Sequence, residues 1–403
     1  MAHTLAAGLG VVIAGSRLRR ALAFRPSRVV NRVHGATARG LPMAPAWAAM
    51  LLALALPWTT RWSLSVFTQL PEDAGADTPE AVLRLGALVV LALLCARLGD
   101  VPLGAFTALV AVSALRNRGD YALDLAMGIG AGIGLLLVTR QLPAAGHRYA
   151  VVAFLLTGIA QACLALQQAL GFDMISCGLD PCFSRDVVNH TGAWVQHPPV
   201  VGGMFGNPAF LAIYLALLAS LSPHWIITAV LVGGVALTQS FTGLAAAGVG
   251  LAVQYRAQWR ISGAFAVGLL LGALAMRPQF LSWSGRWTVH WAAVRDWWAH
   301  APSLGYGPDG WWLRVPKLQQ ALGMKTDLYV QPHNEYVGLA FAFGVLGLTT
   351  LALWLIQHHG MFRGPYAGTI AALAVALVSM PVVHQATLIV PAIVLLGLAT
   401  GRA

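Results

Sequence analysis

Across 403 residues, 58% are hydrophobic and only 10% charged, with a mean hydropathy of +0.70. An ordinary soluble domain carries roughly 25% charge, so this composition excludes one. The net charge of +11 is scattered as a membrane-topology signal would be, which argues against a nucleic-acid partner.

In chain order, the apolar run 5–15 is too short to span a bilayer. It has no basic residue before it and no convincing cleavage site, so it reads as an interfacial or partly inserted helix rather than a signal peptide. Arg17, Arg19, Arg20, Arg25, Arg28, Arg32 and Arg39 follow without an acid among them. Residues 1–40 are therefore expected to be a basic cytoplasmic segment, suited also to resting on anionic lipid.

Residues 41–403 read as one transmembrane domain. Apolar runs that suit helices crossing a ~30 Å hydrocarbon core lie at 42–58, 80–98, 101–115, 121–139, 149–170 and 203–222. Six more lie at 225–238, 241–254, 261–276, 335–356, 366–380 and 382–399. The expected fold is all-α, a polytopic membrane protein of about 12 spans. If the spans alternate, Arg97, Arg140, Arg148, Arg256, Arg260, Arg363 and Arg402 join the N-terminus inside, and Asp100 is the sole inner-face acid. Cys95 and Cys163 fall within apolar runs and read as buried small hydrophobes. Cys177 and Cys182 share the external loop 171–199 and could oxidise there.

The longest external loop, 277–334, concentrates the chemistry. Trp287, Trp291, Val294 and Trp298 recur at i, i+4, i+7 and i+11, which predicts an amphipathic helix with an aromatic face at headgroup depth. Arg286 and His290, four apart, share a neighbouring face. The stretch 302–310 is too rich in Gly and Pro to continue that helix. Arg314, Lys317 and Lys325 follow, so Arg286, His290, Arg314, Lys317 and His333 belong to one loop. Cations outside run against the topology rule; a phosphate-bearing ligand would account for them, and pairing with Asp296, Asp309, Asp327 or lipid headgroups is the alternative.

His333-Asn334-Glu335-Tyr336 closes the loop. Asn334 is placed to cap the helix starting at Glu335, a helix N-terminus favours a nearby anion, and a histidine there is suited to taking a proton from a hydroxyl at neutral pH. The sequence holds no Walker A loop, dinucleotide fingerprint, HExxH, Gly-x-Ser-x-Gly elbow or Asp-x-Asp pair. No metal and no cofactor are expected.

Three motifs give the chain a resemblance to the bacterial O-antigen ligase and O-antigen polymerase family. Gly206-Asn207-Pro208-Ala209-Phe210-Leu211 is similar to the family's Gly-Asn-Pro-x-x-Leu signal. Ser284-Gly285-Arg286, a Trp-rich helix and Gly305-Tyr306-Gly307-Pro308 resemble the opening of its periplasmic loop. His333-Asn334, nine residues, then Gly344-Val345-Leu346-Gly347 matches its His-Asn-x9-Gly-x-x-Gly pattern. Gly344, Gly347 and Asn207-Pro208 would equally serve helix packing and helix initiation.

The resemblance implies a GT-C-like, metal-independent, inverting glycosyltransferase in the bacterial inner membrane with its site facing the periplasm. Its donor would be a glycan on undecaprenyl diphosphate, and its acceptor lipid A core or a second lipid-linked glycan. Arg286 would bind the diphosphate, His333 would serve the acceptor hydroxyl as base or orienting group, and Arg314, Lys317, Asn334 and His290 would bind substrate. Within the family the acceptor could also be a hydroxyl side chain of a protein, as in its oligosaccharyltransferases; the His-Asn-x9-Gly pattern favours a ligase over a polymerase. Phe241 departs from the family, which commonly has arginine there; either Arg314, Lys317 or Arg277 would supply that charge, or the donor would be bound differently. From another class, a transporter of a lipid-linked anion would use the outer cations as a gate.

Overall fold

The computed structural model describes residues 79–117, 120–171, 185–188, 194–197, 201–205, 207–257, 284–324, 332–380 and 386–401. The basic segment 1–40, the expected spans 42–58 and 261–276, Arg277, Lys325, Asp327, Cys177 and Cys182 lie outside them.

Ten of the twelve expected apolar runs coincide with helices. These are α1 (Pro79–Arg97), α2 (Val101–Asn117), α3 (Asp120–Arg140), α4 (Ala144–Ala169), α5 (Pro208–Leu221), α6 (Trp225–Leu237), α7 (Phe241–Gln254), α10 (Glu335–Gln357), α11 (Ala367–Ser379) and α12 (Ala386–Thr400). Between α7 and α10 stand α8 (Ser284–His300), the expected Trp-rich helix, and α9 (Gly310–Ala321), which was not anticipated. A short antiparallel hairpin, β1 (Arg185–Val188) on β2 (Trp194–His197), is the departure from helix among the described residues.

Among the described residues, two helices, α4 and α10, are long and apolar enough to cross a membrane by length and composition, α10 being counted across a break at Gly344, and seven shorter apolar helices accompany them. At 13 or 14 residues, α5, α6, α7 and α11 are only about 20 Å long at ~1.5 Å per residue. The outer faces carry large apolar side chains: Val90 is 65% exposed, Leu93 66%, Leu156 62% and Ile356 66%. Cys95 is buried as expected, but Cys163 is exposed, because it faces outward from α4 rather than into the bundle.

α5 is the hub of one core. Every residue from Leu211 to Leu221 is buried, and α4, α6, α7 and α11 surround it. Small residues permit the close approach: a Cβ on Gly243 would lie 2.2 Å from that of Ala212, and one on Gly250 2.1 Å from the Ser220 hydroxyl. The phenol of buried Tyr214 shares a 2.7 Å hydrogen bond with Thr157 of α4. α5 starts as the Asn207-Pro208 pair suggests: Asn207 Oδ1 accepts the Ala209 amide at 2.9 Å, and Pro208 takes the first helical position. Ahead of it, the Gly202 and Gly203 amides donate to Gln168 Oε1 (3.0 and 2.8 Å) and the Met204 amide to Gln161 Oε1 (3.0 Å).

A second core joins α1, α2, α3 and α10, with Phe106 edge-on to Phe343 at 5.3 Å between centroids. At one end of it Asp100, fully buried, receives Arg140 of α3, Trp354 Nε1 at 3.3 Å, and His358 Nε2 at 3.7 Å. Asp100 is thus a clamp between three helices. A third, smaller core, including Ala293, Trp297, Trp311, Val315, Ala340 and Phe341, binds α8 and α9 to the first half of α10.

Candidate functional site

α10 is not one continuous helix. At Gly344 the backbone turns to φ 62°, ψ −164°, a region open essentially to glycine alone. The 302–307 loop occupies the break. Tyr306 and Gly307 donate their amides to the Phe341 and Ala342 carbonyls (2.8 and 2.9 Å), while Val345 and Leu346 donate theirs to the Pro302 and Ser303 carbonyls (2.8 and 3.1 Å). Groups that a break strips of their i→i−4 partners are thereby satisfied. The fit leaves no room for side chains: a Cβ on Gly344 would sit 2.3 Å from the Ser303 carbonyl oxygen, and one on Gly305 2.5 Å from the Ala342 carbonyl. The second and third sequence motifs therefore interlock. Gly344 is a backbone device and not merely a packing residue.

This interlock fixes where α8 and α9 stand relative to the start of α10. There Asn334, 8% exposed, caps the helix through the Val337 amide at 3.1 Å, as expected. His333 precedes it, half-buried, and Glu335 follows, 2% exposed. Arg286 lies in the first turn of α8, and its side chain falls outside the description. His290, one turn on, is buried with its ring 6.1 Å from Trp287 and 5.8 Å from Trp311. It is enclosed between α8 and α9 rather than presented to solvent.

Arg314 projects from α9 across the ring of Tyr306, 3.9 Å from its centroid, and reaches Asp296 Oδ2 at 3.5 Å. Asp296 also receives His300 Nδ1 at 3.2 Å, and its backbone carbonyl accepts the Tyr306 hydroxyl at 3.1 Å. Burial, then the adjoining Asp296, pushes the Tyr306 phenol up to about 12. Arg314 is therefore oriented by its neighbours while staying 45% exposed. Lys317, three residues on, is exposed. Phe241 opens α7 behind a Ser240 cap, half-buried.

Sequence reasoning treated Asp309 only as a pairing partner for the cations. It stands at the start of α9, 2% exposed, without a capping bond. Its Oδ1 accepts no hydrogen bond and no described cation pairs with it, and burial raises its carboxyl above the ordinary range. The signal that would have found it is its place in a Gly-Pro turn directly before an amphipathic helix. Among the described residues, no group of three His, Cys, Asp or Glu side chains converges to hold a metal.

No protein-family model and no curated protein matches the chain.

Helices that share one small core carry these imidazoles, an oriented guanidinium and a helix N-terminus. Taken singly, groups of these kinds can hold an anion or move a proton.

Proposed function

We propose that the protein is a polytopic membrane glycosyltransferase of the GT-C type, moving a glycan from undecaprenyl diphosphate to a hydroxyl acceptor, most simply lipid A core, on the periplasmic face of the bacterial inner membrane. The observation that carries this reading is the interlock at Gly344, which draws the 302–307 loop, α8 and the His333 end of α10 into one unit. The exposed apolar side chains of the long helices support the membrane setting.

In this reading the acceptor hydroxyl attacks the anomeric carbon, the bond to the lipid diphosphate breaks with its electron pair leaving on the phosphate oxygen, and that carbon inverts. Arg286 binds the diphosphate; Arg314 adds charge stabilisation as negative charge develops. His333 receives or orients the hydroxyl, and Asn334 holds the helix start beside it. Arg314 supplies the cation that Phe241 lacks.

A broken helix also suits a transporter, in which the open ends of the half-helices hold the cargo. Here four of the groups at the break are taken up by the protein's own loop, which favours the enzyme. The test is transfer by purified protein from undecaprenyl-diphosphate-linked glycan to lipid A core without added metal. His333→Ala and Arg286→Ala should each lower the rate on the order of 10²- to 10³-fold. Lengthening of the lipid-linked glycan would instead identify a polymerase, and absence of turnover with either acceptor would return the transporter.

A further inference from the structure

α8 and α9 are packed on one side only. α8 turns Val289, Ala293 and Trp297 inward, while Trp287, Trp291 and Trp298 are 48%, 60% and 66% exposed. α9 repeats the division, with Trp311 and Val315 buried and Trp312 and Leu313 45% and 59% exposed. Neither helix is a candidate span, since α8 carries Arg295, Asp296 and His300 and α9 carries Arg314 and Lys317. What remains is an outward face of large apolar side chains on each of two polar helices, indoles foremost among them.

Charge identifies the occupant. Arg295 lies four residues after Trp291 and three before Trp298, on the tryptophan stripe, and Lys317 lies four after Leu313; both are exposed. Indoles are enriched at the boundary of a bilayer, where an apolar ring meets a hydrogen-bonding edge. Cations interleaved with them match lipid phosphates, with their methylene stems lying along the apolar surface.

We infer that α8 and α9 lie on the surface of a phospholipid bilayer through these indoles, with Arg295 and Lys317 against lipid phosphates, and so hold the His333 end of α10 at headgroup depth. This rests on the membrane setting proposed above and not on the transfer reaction. It has a consequence for substrate class: a ligand whose phosphate is anchored in the bilayer reaches the site by diffusing in the membrane plane, without leaving it.

The test uses the full chain in vesicles of phosphatidylcholine and phosphatidylglycerol, with bromine on the lipid chains as a contact quencher of indole emission. Wild type is compared with the double variant Trp291→Phe, Trp298→Phe, in which phenylalanine keeps the apolar face and removes two of the 14 tryptophans. The difference emission should be quenched by brominated lipid and not by aqueous iodide. Quenching by iodide alone overturns the inference. Protection from both quenchers, with dimers in solution, also overturns it and makes a second copy the occupant. Should the double variant fail to fold, either single variant reads the same signal. Because no turnover is measured, the docking can fail while transfer stands, whereas a chain that does not co-float with vesicles refutes the membrane setting itself.

Discussion

The amide of Tyr306 donates to the carbonyl of Phe341 at 2.8 Å, a bond that joins a loop to the interior of a helix. It exists because α10 opens at Gly344, and α10 stays open because the loop fills the gap. The two features are mutually dependent, so disturbing either should release both.

Gly344→Ala tests that dependence. Its backbone region alone costs a non-glycine residue about 1–3 kcal/mol, and the added methyl would also press on the Ser303 carbonyl, 2.3 Å away. The variant should melt several degrees lower in detergent and lose the proposed transfer activity. A melting temperature equal to wild type would show that the break does not constrain the fold.

Asp309→Asn should stabilise the protein. Burial without a donor to Oδ1 penalises the charged carboxylate beyond the ~1–3 kcal/mol of a neutral unsatisfied polar group, and the neutral amide is spared that excess. The sign with pH follows from the direction of the shift. The folded-state value lies above the unfolded one, so the penalty is absent at low pH, grows as pH rises through the ordinary carboxylate range, and is complete above the raised value. The melting-temperature advantage of the variant should therefore widen from acid to neutral pH and then level off. A gap independent of pH would contradict the assignment.

Asn334→Ala removes a cap worth about 1 kcal/mol at the turn that also carries His333. Asn334→Asp keeps an acceptor for the Val337 amide. Transfer should fall in the alanine variant and stability should recover with aspartate. Equal melting temperatures for all three proteins would remove the cap from the account.

Asp100→Ala should be among the most destabilising changes outside the site, since it strands Arg140 beside a buried gap. Breaking one partner of a buried pair costs about 3–5 kcal/mol. The clamp stands at the Trp354 end of α10, away from His333, so the fraction that remains folded should turn over at the wild-type rate. A specific loss of kcat at full folding would instead couple the two ends of α10.

Much of the architecture was legible before the fold was known. Apolar runs bounded by Arg, Gly and Pro placed ten helices because helix length and hydrophobicity are local properties of a chain. The tryptophan period of α8 and the caps at Asn207 and Asn334 were readable for the same reason: each depends on residues within two turns. α9 was missed because Pro316 and mixed polarity hide its two-faced pattern, which becomes plain only once Trp311 and Val315 meet Phe341 and Ala340.

The sequence by itself determined a helical, apolar chain with its polar chemistry confined to 277–334 and the start of α10. Tertiary structure decided what those residues do together. Gly344 in an apolar run reads equally as packing or as a break, and only a loop from forty residues upstream, donating and accepting at the same point, selects the break. Asp309 reads as a surface acid until α9 and its neighbours close around it. Burial and long-range hydrogen bonding belong to the contacts between segments, and no local window of sequence contains them.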